Sequence, residues 1–282
     1  MEIYYIKVNF IQERKLLLFN EFAYKEIDYA KFIIKNGFKT ENIKYECSIL
    51  AKYYKSIGLN KSEARSKIID ICNRSIKEFY YEMYYPLIES GINSGFKKDI
   101  IQIDEIKFYK EELDYINNID VNYSNKKLLF GLLLTKKLNQ AVSSSEKLGF
   151  VFNGNKRNYA NLKRFSGLKN RTQKQINYMF ADLIDLELIS IRDDDRKYLL
   201  FMEHIQDSKE LVFTVSNFET AILLFDSYND KYKVKECEVC GEVFKIESNR
   251  HIYCKKCQKQ KELQKYNQYN KKRFLPPLER DF

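Results

Sequence analysis

Two identical cysteine pairs, Cys237-x2-Cys240 and Cys254-x2-Cys257, constrain this chain more than any other feature. A C-x2-C loop brings two thiolates to one ion without straining the backbone, and four such soft donors satisfy a tetrahedral zinc. The thirteen residues 241–253 between the pairs are long enough for a short hairpin that returns the chain to the metal. Four protein ligands leave no position open for water or substrate. The expectation is therefore one structural Zn2+ in a small metal-stapled module. Paired cysteines of this kind read as ligands before disulfides in a reducing compartment. Cys47 and Cys72 lie in helical apolar patterns and read as small buried hydrophobes.

The rest of the composition bounds the class. A chain of 282 residues, 44% hydrophobic, can hold two or three domains with packed cores. Apolar runs such as Leu132-Leu133-Leu134 are too short to span a bilayer, and the Met1–Lys7 start lacks a signal-peptide pattern. These features predict a cytoplasmic protein with no membrane partner. Abundant Lys, Asn, Ile and Tyr, with three prolines and no tryptophan, fit an AT-rich genome. The net charge of +10 is unevenly spread: zero over 1–125, +7 over 126–203, −4 over 204–230 and +7 over 231–282. Positive charge concentrated in separate segments is the footprint expected for phosphate-backbone binding.

Periodicity predicts a mainly α chain. Residues 11–35, 41–57, 61–90 and 104–118 carry apolar residues at helical spacing, with Gly58 and Gly91 as terminators and Asn60 and Ser62 as caps. Ile3–Phe10 and Ile100–Ile103 read as short strands. This gives a helical domain over 1–118, whose tyrosines (Tyr80, Tyr81, Tyr84, Tyr85) suit a half-buried face and whose use is a homodimer or host-protein surface. The polar stretch 119–125 marks a boundary. A second domain follows over 126–205, with helices at Lys126–Val142, Asn158–Phe165 and Thr172–Leu186 and strands at Leu188–Arg192 and Arg196–Met202. A connecting strand and helix occupy 206–232, the cysteine module 233–275, and a proline-containing tail 276–282.

In the third helix of the second domain, Ile176, Phe180, Leu183 and Leu186 form one apolar stripe. Gln173, Lys174, Asn177 and Tyr178 fall opposite, and Lys169, Asn170 and Arg171 precede the helix. Amides pair with adenine edges and cations with guanine or phosphate, so this set suits duplex DNA. Between Lys147 and Ala181 there are eight basic residues and no acidic one. Asp193-Asp194-Asp195 reads as a strand-joining turn, leaving Arg192, Arg196 and Lys197 on its flanks as DNA contacts. The segment Leu162–Ile176 resembles the helix-turn-helix core of winged-helix DNA-binding domains, with Glu187 where many of them place glycine. That departure implies a turn made differently within the same fold. Protein contact is the alternative use of such a module.

The segment Cys237–Cys257 resembles treble-clef zinc fingers, which implies a knuckle closed by Gly241, a hairpin, and a helix carrying the second pair. Lys255, Lys256 and Lys259 on that helix form a secondary basic contact. The combination, over residues 126–273, resembles proteins of phages and mobile elements from low-GC bacteria. The resemblance implies a DNA-binding regulator or replication accessory. A phage factor that grips a host complex is a second reading. A metal-dependent nuclease using His251 is a third, poorly supplied because His204 and His251 are the only histidines. No phosphate-binding glycine loop or nucleophile motif is present, so the expectation is that the chain is not an enzyme.

Overall fold

The computed structural model describes residues 22, 24–142, 150–152, 156–191, 197–201, 210–248 and 250–274. The chain is mainly helical, as the periodicity predicts, and it divides into two compact units with the break between Asp104 and Glu105.

The first unit is built from α1 (Glu26–Asn36), α2 (Ile43–Ser56), α3 (Lys61–Ser75) and α4 (Tyr81–Phe96). Asn42 caps α2 by accepting from the Tyr45 amide, and Asn60 forms a capping box with Glu63 at the start of α3. Gly58 follows α2 with φ +88°, the left-handed conformation that glycine adopts freely. Tyr29, Ile33, Leu50, Ile68, Ile88 and Ile92 pack its core together with Cys47 and Cys72, which are fully buried.

Several sequence expectations fail in this unit. The helix predicted over 61–90 is two helices, broken at residues 76–80. Gly91 does not terminate a helix; it lies inside α4, where a Cβ would come within 2.5 Å of the Lys44 carbonyl oxygen on α2. Gly95, one turn on, meets Ser48 O at the same 2.5 Å, so the two glycines let α2 and α4 approach backbone to backbone. Of the four tyrosines, Tyr81 and Tyr84 pack against the core, whereas Tyr80 and Tyr85 are exposed. The strand predicted at 100–103 is a single bridge between Lys25 and Gln102, and that predicted at 3–10 lies outside the described residues.

Glu46 of α2 is fully buried. Its Oε1 accepts from Tyr29 Oη (2.6 Å), Thr40 Oγ1 (2.7 Å) and the Thr40 amide (3.0 Å), while Oε2 has no partner. Burial pushes this carboxyl above its ordinary value of 4.5, and the bonds from Tyr29 and Thr40 offset it only in part. The native state thus holds this proton more tightly than the unfolded chain does. Its contribution to stability is lost as pH rises from the ordinary carboxylate range through the raised value. Glu46→Gln keeps an acceptor for all three donors and removes the charge. Urea denaturation at a series of pH values should show the variant at least as stable as the wild type near neutrality, with that part of the pH dependence gone. A loss of several kcal/mol instead would mean that the ionised carboxylate is required.

The second unit begins with β1 (Ile106–Tyr109) and α5 (Lys110–Asn118), where the periodicity predicts one helix over 104–118. β1 pairs antiparallel with β5 (Leu211–Val215), with Phe108 opposite Phe213. That pairing ties 105–118 to this unit, so the break falls upstream of the polar stretch 119–125. It also makes the described part of the predicted connector, 210–232, part of the unit's packing. The central element is α6 (Tyr123–Val142), on which Leu128, Leu129, Phe130, Leu132, Leu133, Leu134 and Leu138 are all buried. Phe130 stacks on Phe225 of α9 (Ala221–Tyr228) at 4.6 Å between ring centres and meets Phe108 at 4.9 Å. Lys127 pairs with the buried Asp226 at 2.9 Å, and Tyr123 Oη donates to the same carboxylate.

After α6 come β2 (Phe150–Phe152), α7 (Lys156–Phe165), α8 (Gln173–Asp185), β3 (Ile189–Ile191) and β4 (Lys197–Leu199). The strands form an antiparallel sheet in the order β2-β4-β3. Leu162 and Phe165 of α7 and Ile176, Phe180 and Leu183 of α8 are buried. The glycine-like turn after α8 is made by Glu187 itself, which adopts φ +56°. The expected departure in geometry is therefore absent; a residue with a side chain takes the left-handed conformation at a modest strain cost. The chain continues through the hairpin β6 (Val234–Glu236) and β7 (Val243–Lys245) into α10 (Lys255–Phe274). Among the described residues no helix is long and apolar enough to cross a membrane.

Candidate metal centre and basic helix face

The turn between β6 and β7 carries the first cysteine pair. Gly241, at φ +69°, closes it by donating its amide to Cys237 O (2.8 Å), and the Cys237 amide donates to Glu242 O (3.0 Å). The Glu238 amide donates to Ile252 O (3.2 Å), which brings the second pair alongside. Cys254 stands just before α10 and Cys257 in its first turn, where the Gln258 amide donates to Cys254 O (2.9 Å). The four Sγ atoms all lie within 4.8 Å of one another, and Cys240 and Cys254 approach to 3.7 Å. A tetrahedral site with metal–sulfur distances of about 2.3 Å needs sulfurs roughly 3.8 Å apart, so this donor set fits a metal ion.

The electrostatics agree. Burial disfavours a thiolate at Cys237, yet backbone amides of Cys254, Cys240 and Val239 outweigh it and lower that thiol to about 6. Cys257 is pushed up to about 12, first by its bond to Cys240 and then by burial. Sulfurs this close cannot all ionise against one another's charge. A metal cation held at their centre would allow the remaining thiols to lose their protons. Sequence spacing singles out the four cysteines but not the amide donors, because those depend on the fold of the knuckle. Phe244 and Tyr253 pack against the cluster, and Lys261 Nζ sits 3.5 Å from the Tyr253 ring centre.

His251 lies outside this quartet, and the Glu247 amide approaches its Nδ1 at 3.4 Å. Among the described residues no other group of three or more His, Cys, Asp and Glu side chains is placed to hold a metal.

The second feature is the start of α8. Thr172 caps it, accepting from the Gln175 amide while Gln175 Oε1 accepts from the Thr172 amide. This capping box fixes where Lys169, Asn170 and Arg171 stand relative to the helix. All three are exposed, as are Gln173, Lys174, Asn177 and Tyr178, the last at 60%. Lys169, Arg171 and Lys174 have no carboxylate partner among the described residues; Lys174 Nζ lies 5.8 Å from the Tyr178 ring centre. Tyr159 of α7, which the periodicity assigns only to a helix, donates its hydroxyl to Asn177 Oδ1. It holds that amide in one orientation with its NH2 group still to offer.

The flank of the hairpin differs. Lys197 is only 7% exposed, with its ammonium 5.0 Å from the Phe180 ring centre, so it faces inward. Its long stem and charge pack on the aromatic face in place of reaching solvent. Arg192 and Arg196 lie outside the described residues. Lys255, Lys256 and Lys259 are exposed on α10.

No family model matches the chain, and no solved structure matches it. A curated relative is the DNA-directed RNA polymerase YonO of Bacillus phage SPbeta, 33% identical over 94 residues. The matched segment is 33% of this chain and 11% of that protein, so the chain spans about a tenth of its relative's length. This relative is an enzyme, and it overturns the expectation, drawn from missing motifs, that the chain is not one.

Proposed function

We propose that the chain is a phage nucleic-acid-binding protein that holds duplex DNA through α8 and works in the setting of DNA-directed RNA synthesis. The observation that carries this reading is the exposed cluster of Lys169, Arg171 and Lys174 beside Gln173 and Asn177, unneutralised by any described carboxylate. The element order α6-β2-α7-α8-β3-β4, with the sheet ordered β2-β4-β3, supports a winged-helix reading of this part of the chain. In that arrangement α8 enters the major groove and its polar face meets base edges. Lys169 and Arg171 meet phosphate at the helix start, where the free amides also favour an anion. The shared segment with a phage polymerase supports a role in handling template DNA or its transcript.

The cysteine quartet is proposed as a zinc site of treble-clef type. Cys237, Cys240, Cys254 and Cys257 would hold the ion, which supplies structure by cross-linking the knuckle to α10. Titrating a fluorescent duplex with the zinc-loaded chain tests the reading. Arg171→Ala with Lys174→Ala should weaken binding at least tenfold near 0.1 M salt, with thermal stability unchanged because neither side chain is packed. Equal affinity for the duplex would refute it.

A further inference from the structure

We infer that the β6–β7 hairpin carries a second, separate contact that takes one nucleotide of a single-stranded nucleic acid. An open cleft of about 270 Å³ is lined by Lys231, Tyr232, Lys233, Lys245, Glu247 and their neighbours. Three lysines and one carboxylate, Glu247, line it, and none of the three lysines forms a salt bridge among the described residues; Lys231 Nζ lies 5.1 Å from the Tyr123 ring centre. Three cations against one anion leave the cleft net positive, which favours an anionic ligand. Lys245 Nζ lies 3.6 Å from the Tyr232 ring centre, holding the ring in place, while the residue remains 38% exposed.

A basic cleft beside an exposed aromatic ring is the combination that binds single strands. The lysines hold the phosphate and the ring stacks on a base. A duplex hides its base faces, so the ring selects an unpaired nucleotide. The cleft is a little smaller than sites for drug-sized ligands, which suits one nucleotide unit of a longer strand. The inference extends the proposed nucleic-acid role but uses none of the α8 residues.

The test is fluorescence anisotropy on the full, zinc-loaded chain with a labelled dodecamer of deoxythymidine and, separately, a labelled duplex. Tyr232→Ala should weaken single-strand binding about tenfold and Tyr232→Phe should preserve it. Lys233→Ala with Lys245→Ala should weaken it and flatten its salt dependence. Duplex affinity should stay within about twofold in all three variants, while Arg171→Ala with Lys174→Ala should show the opposite pattern. Native mass spectrometry confirms that each variant retains its zinc. The inference is overturned if the wild type does not bind the dodecamer, if Tyr232→Ala binds it unchanged, or if the losses on single strand and duplex are equal. Failure of the duplex arm alone sinks the α8 reading and leaves this one standing.

Discussion

Removing the metal from the cysteine quartet should unfold the segment from the β6–β7 hairpin through α10 while leaving the first unit folded. Apart from the cysteines, Phe244 and Tyr253 are the hydrophobic side chains packed against the quartet among the described residues, and the module is near the length below which small domains need a metal or disulfides. Zinc binding to modules of this kind contributes roughly 10–16 kcal/mol of apparent free energy at neutral pH, far more than two half-buried aromatic side chains supply. A strong chelator should therefore raise the count of reactive thiols to four, from Cys237, Cys240, Cys254 and Cys257. Cys47 and Cys72 should stay protected, because both are fully buried in the other unit. Thiol titration with and without chelator reads this directly. An unchanged thiol count would show that no metal holds the module.

The second large effect is at α4. Gly91→Ala places a methyl group against the Lys44 carbonyl oxygen and the Cys47 Cβ, at 2.5 and 2.8 Å. Gly95→Ala meets Ser48 O and the Ala51 Cβ at 2.5 and 2.6 Å. Helix propensity favours alanine by about 1 kcal/mol at each position, but overpacking against a backbone commonly costs about 1–3 kcal/mol. Here the first atom met is a carbonyl that cannot rotate away, so the steric term should win. Each variant should lower the unfolding midpoint of the first unit by several degrees. The double variant should lose less than the sum, because one separation of α2 from α4 relieves both clashes. A midpoint that rises on either substitution would mean that the helices are not in backbone contact.

That glycine also shows where sequence reading stops. A glycine at the end of an apolar period reads as a terminator, and only the neighbouring helix reveals it as a packing surface. The cysteine quartet was legible because a tetrahedral ion would impose a local spacing, Cys-x2-Cys, that needs no knowledge of the fold. The α8 face was legible for a similar reason: helical period alone separates Ile176 and Phe180 from Lys174 and Asn177. Features joining distant segments were not. Nothing around Phe108 announces Phe213, and so the strand at 106–109 reads as the start of a helix. Lys197 read as a surface cation because its charge is visible in sequence and the Phe180 ring beneath it is not. Tyr159 gave no signal of its role, since its partner Asn177 lies on another helix.

The central claim is that α8 neutralises DNA phosphate. It is tested most directly by the salt dependence of duplex binding. For the zinc-loaded chain, the logarithm of affinity against the logarithm of salt should fall with a slope of about 0.9 per phosphate contacted. Lys169→Ala with Arg171→Ala should reduce that slope by roughly 1.8, one increment for each phosphate contact removed. An identical slope in wild type and variant would contradict the account.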